Sequence, residues 1–126
     1  MRAILQASAA LAATVLLVLT SGCGDSPPPT NTTNTEVTVK GVVKIDGVPA
    51  TEGQVEFDPS NYERQTAPRK VDIGKDGSYS IKTYPGQNNI KLLGEVAHKN
   101  PILQQARLRY DVPSSETTHD LEFSAK

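Results

Sequence analysis

Alternation of period two governs the chain from residue 37 onward. In VTVKGVVKI, Val37, Val39, Val43 and Ile45 fall on one side of an extended backbone, with Gly41 among them. Thr38, Lys40, Val42 and Lys44 fall on the other. Successive side chains of a strand point to opposite faces, so this spacing marks a strand with one face buried. The same odd–even split places Val55 and Phe57 inward against Gln54, Glu56 and Asp58, and Val71 and Ile73 inward on the next run. Tyr79 and Ile81 follow, then Ile90, Leu92 and Val96. Leu108, Tyr110 and Val112 alternate with charged residues, and Leu121 and Phe123 close the pattern.

Turn chemistry separates these runs. Asp46-Gly47 and Asp76-Gly77 each sit between alternating segments, a pairing that favours tight hairpins. Tyr84-Pro85-Gly86 marks another turn, SNYERQTAP (residues 60–68) a polar loop, and PSSE the turn of a closing hairpin. In HKNPILQQAR, Asn100 is placed to cap a short helix with Pro101 at its first position, leaving Ile102, Leu103 and Ala106 as its apolar side. Seven short strands with frequent turns predict an all-β protein, a seven-stranded antiparallel β-sandwich over residues 37–126.

Residues 1–36 follow a different logic. Met1-Arg2 gives a positive start, Ala3 to Leu19 is almost wholly apolar, and small residues precede the single cysteine at Ser21-Gly22-Cys23. Positive, apolar and small, in that order, is the pattern of an export signal. An uncleaved membrane-spanning helix competes, because about 20 apolar residues suffice to cross a bilayer. LTSGC decides for the signal, since it resembles the lipobox of bacterial lipoproteins. That resemblance implies cleavage after residue 22 and acylation of Cys23, which would tie the protein to the membrane of a bacterial cell envelope. Multiple acyl chains on one residue satisfy the two-signal requirement for stable anchoring. GDSPPPTNTTNTE then lacks any aliphatic or aromatic residue, so residues 23–36 read as a lipidated cysteine followed by a disordered tether.

The runs VTVKGVVKIDGVPATEGQVEFDP and DIGKDGSYSIKTYPGQNNIKL resemble the carboxypeptidase regulatory-like domain. Its pattern is carried here by Gly41, Val43, Asp46, Gly47, Pro49, Gly53, Val55 and Phe57, then by Asp76, Gly77, Tyr79, Pro85 and Gly86. The resemblance implies a transthyretin-like (prealbumin-like) sandwich. Its positions are turn glycines and core residues, which specify fold rather than function.

The sequence carries few chemical signals. With 13 Lys+Arg against 14 Asp+Glu, and 12 against 14 once residues 1–22 are removed, it lacks the basic excess of a nucleic-acid binder. His98 and His119 read as solvated loop histidines, with no metal-binding spacing around them. No serine sits in a nucleophile elbow. Neither an enzyme nor a cofactor or metal site is therefore expected. The expected role is a non-catalytic structural or protein-interaction module of the envelope. The alternative is a glycan- or small-molecule-binding lipoprotein using the loop-placed rings of Tyr62 and Tyr84 as ligand platforms.

Overall fold

The structure, a computed structural model, describes residues 30–126. The expected lipidation of Cys23 and the expected signal over residues 1–22 fall outside the described residues. Two sheets face each other. The first is built around β1 (Val37–Ile45), which pairs antiparallel with β2 (Val48–Pro49) and with β5 (Ser78–Thr83). On its other side β1 takes β8 (Thr117–Thr118) and β9 (Leu121–Phe123) in parallel. The second sheet runs β4-β3-β6-β7, with β3 at Gln54–Asp58, β4 at Arg69–Asp72, β6 at Gly86–Leu93 and β7 at Leu108–Val112. Each of the seven expected strands has its counterpart, and the two-residue strands β2 and β8 are additional.

The core lies where the alternation placed it. Val39, Val43, Val55, Phe57, Ile90, Leu121 and Phe123 are all buried between the sheets, and the Phe57 and Tyr79 rings meet with centroids 5.8 Å apart. Asp46-Gly47 makes the tight hairpin its sequence favours. Asp46 (φ 51°) and Gly47 (φ 82°) both adopt left-handed backbone, as a primed turn requires. Gly41 answers a different need. The chain of His119 crosses so close to β1 that a Cβ at residue 41 would collide with the His119 carbonyl. That same carbonyl accepts the phenolic hydroxyl of Tyr79, while Asp120 Oδ1 accepts from Val42 N at 2.9 Å. Here the last segment steps from β8 to β9.

Five local expectations need correction. Asp76-Gly77 does turn the chain, with Gly74 N bonded to Ser78 O, but β4 and β5 then enter different sheets instead of forming a hairpin. Likewise β7 joins β6 while β9 joins β1, so the PSSE segment crosses between layers. The sandwich is consequently not wholly antiparallel, because a strand crossing from the opposite sheet can arrive beside β1 in the same direction. Val96 belongs not to β6 but to α1 (Glu95–His98), since Gly94 at φ 97° ends the strand. Asn100 does cap α2 (Pro101–Gln105), accepting from Ile102 N at 2.9 Å. Only Leu103 of α2 is buried, however, and Ile102 is 48% exposed.

Glu56 is the fifth. It sits on the outer face, as alternation requires, yet it is only 7% exposed. As a residue of an inner strand it is flanked by Lys70 on β4 and Lys91 on β6, whose ammonium groups stand 3.8 and 3.1 Å from its carboxylate. Long lysine stems cover what an edge residue would leave open.

Candidate functional site

Arg64 organises the end of the sandwich where the chain enters. Asn61 shapes the loop around it, its Oδ1 accepting from Glu63 N at 2.9 Å and from Arg64 N at 2.7 Å. The Arg64 side chain then folds inward to 5% exposure. Its Nη2 donates to the carbonyls of Pro59 and Pro85, both at 2.9 Å, and its Nη1 donates to Thr33 O at 2.8 Å. One guanidinium thus joins the loop, the β5–β6 turn and the residues that precede β1. Burial lowers its pKa from the usual arginine value, an effect the neighbouring Tyr84 partly opposes.

The turn it grips is itself held from below. Asn88, fully buried, accepts from Thr83 Oγ1 at 2.6 Å and donates to the carbonyls of Tyr84 and Gly86, both at 3.0 Å. Around this turn Arg64 and Arg69 lie over the Tyr84 ring, at 5.3 and 5.1 Å from its centroid. Arg69 also pairs with Glu36 at 2.7 Å, and Asn61 Nδ2 reaches Asn31 O at 3.1 Å. Asn31, Thr33 and Glu36 belong to the stretch expected to be a disordered tether. The last residues of that tether are instead fastened to the domain.

These contacts place the two tyrosines proposed as ligand platforms. Tyr62 stands 68% exposed on the loop. Tyr84 is half-buried, and its ring is already engaged by two protein cations. Among the described residues no ring stacking joins them. His98 is exposed, as expected, but His119 is not a solvated loop histidine. Its ring stacks flat on Tyr110, with centroids 3.7 Å apart and planes 1° from parallel. Among the described residues no group of three or more His, Cys, Asp or Glu is arranged to hold a metal ion. Sequence reasoning missed Arg64 as the hub, because nothing in SNYERQTAP distinguishes a buried arginine from a solvated one.

The chain superimposes on a DUF3823 family protein from Parabacteroides merdae with a TM-score of 0.52 at 20% identity, covering 69% of this chain and 45% of that one. The likeness is one of fold. A second DUF3823 family protein, from Bacteroides ovatus, gives 0.48 at 18% identity, covering 70% of this chain and 43% of that one. The Bacillus anthracis TIE protein gives 0.47 at 8% identity, covering 71% and 16%. The chain therefore spans less than half the length of each. No family model matches the chain, and no curated protein matches it. The two-sheet β-sandwich is shared with the DUF3823 protein of P. merdae.

Proposed function

We propose that this chain is a lipid-anchored protein of the bacterial envelope, cut before Cys23 and acylated there. Its transthyretin-like sandwich serves as a non-catalytic structural or protein-interaction module. The observation that carries this reading is the fastening of Asn31, Thr33 and Glu36 to the domain through Asn61, Arg64 and Arg69. A module held at a membrane gains from a fixed exit of its tether, which sets the face it presents. Seven residues separate Cys23 from Thr30, and the ~3.3–3.6 Å per residue limit of any chain caps that span at about 25 Å. The domain would stand close to the bilayer with its Arg64 end nearest. The charged groups that are most buried support a structural role as well. Arg64 is spent on three backbone carbonyls and Glu56 on two lysines.

Cys23→Ala tests the anchor. The variant is expected to accumulate as an uncleaved precursor in membranes, while the unmodified chain fractionates there in shorter, processed form. Normal processing of the variant would refute the lipid anchor.

A further inference from the structure

The outer face of the four-stranded sheet carries its polar groups in two rows set by strand register. In the first row Asp58 on β3 lies opposite Asn89 on β6, and Asn89 opposite Arg109 on β7. In the second, Lys70 on β4 lies opposite Glu56, and Glu56 opposite Lys91. Arg107, one residue before Leu108 and its partner Ile90, extends that row toward β7. Phe57 and Ile90, between the rows, are buried in the core, so by strand alternation both rows face outward together. They bound a groove of about 350 Å³ lined by Glu56, Asp58, Asn89, Lys91, Arg107 and Arg109.

The groove has a donor end and an acceptor end, and the two differ in how far they are already used. Glu56 is paired with Lys91 at 3.1 Å and Lys70 at 3.8 Å. Asp58 Oδ1 accepts from Ser60 N at 3.0 Å and Ser60 Oγ at 2.5 Å. Arg107 is steadied at the end of α2, its Nη1 donating to Gln104 O at 3.0 Å and Ala106 O at 2.8 Å. Arg109 is exposed and, among the described residues, has neither an ion pair nor a side-chain hydrogen bond. The unused capacity is therefore a guanidinium fork at one end and spare acceptor lone pairs at the other.

We propose that this face binds an acidic saccharide. A uronic acid residue sits with its carboxylate on Arg109 and Arg107 and its hydroxyls on Asn89 and Asp58. The planar guanidinium matches a carboxylate with two parallel hydrogen bonds. A carboxylate offers about four lone-pair sites, so Asp58 keeps acceptors for hydroxyl donors after its bonds to Ser60 are made. A phosphate ion would fill the guanidinium end but brings few hydroxyl donors for Asn89 and Asp58 at the other end. The volume lies at the small end of the ~300–1,000 Å³ range of ligand clefts, which suits one or two sugar rings. The site lies on rigid strands and does not depend on the lipid anchor, so each stands or falls separately.

Calorimetric titration of the full chain in mild detergent tests it, with tri-galacturonate as the probe. Maltotriose, inorganic phosphate and dialanine serve as neutral, phosphate and zwitterionic comparisons. Saturable binding is expected for tri-galacturonate alone, weakened at least tenfold by Arg109→Ala and unchanged by Lys82→Ala on the opposite sheet. Arg109 is exposed, so its variant should keep the parent unfolding midpoint, which separates lost binding from lost folding. Three results would overturn the proposal: no saturable tri-galacturonate binding, equal binding of any comparison compound, or full affinity in Arg109→Ala.

Discussion

At the scale of single residues, neighbouring positions on β3 and β9 separate the two sides of the fold. Phe57 and Phe123 are buried, and truncating such a ring to alanine costs about 3–5 kcal/mol in lost transfer energy and residual cavity. Glu122, exposed beside Phe123, only accepts from Gly47 N at 2.6 Å, and Glu122→Ala should cost about 0.5–1.5 kcal/mol. Glu56 falls between these cases. Its carboxylate is buried but its lysine partners are partly exposed, so Glu56→Ala should cost about 1–3 kcal/mol, between the exposed and buried ion-pair ranges. Denaturant midpoints of the four variants would check this ranking. Tyr79 adds a pH signature. Burial first, then the charges of Asp120 and Tyr110, push its phenol above the ordinary tyrosine value. The folded state therefore holds its proton more tightly than the unfolded chain. That stabilisation is fully present below the unfolded pKa of about 10 and is lost as pH rises through the folded value. Stability should fall above about pH 10, and Tyr79→Phe should flatten the fall when unfolding is followed against pH.

At the scale of elements, strand existence was legible in the sequence, and strand partnership only at the Asp46-Gly47 hairpin. Period-two spacing fixes which side chains of β3 or β5 face inward, because that depends on one strand alone. Whether Asp76-Gly77 joins two strands of one sheet or passes between sheets depends on where β1 and β3 already lie. No local pattern carries that information. The covering of Glu56 was hidden for the same reason, since its lysines come from β4 and β6. The Asn100 cap was readable because every atom it uses is within three residues. The fastening of Thr33 to Arg64 spans 31 residues and left no local mark. It does have a measurable consequence. A chain beginning at Thr35 removes the acceptors of Arg64 Nη1 and Asn61 Nδ2 while leaving the core, whose first buried residue is Val39, complete. It should still unfold cooperatively, but with stability about 1.5–3 kcal/mol below that of a chain beginning at Thr30, as for a hydrogen bond to a charged group. Equal stability of the two chains would show that the fastening contributes nothing.

At the scale of the whole molecule, a sandwich with a modest core holds residues 31–36 against its Arg64 end, and the proposed export signal and acylated Cys23 precede them in the sequence. The fold rests on many weak and mutually consistent positions, so it could be read early and is shared with the P. merdae DUF3823 protein. The candidate sites rest on a few residues brought together from distant strands, as Arg64 and Arg109 are, and only the assembled sheets reveal them. The claim that joins the parts is that the mature chain begins at an acylated Cys23. Mass spectrometry of the N-terminal peptide of the protein extracted from its native membranes tests it most directly. The predicted spectrum shows a peptide starting at Cys23 with added acyl mass and no trace of residues 1–22. Recovery of a peptide running intact from Met1 through an unmodified Cys23 would contradict it.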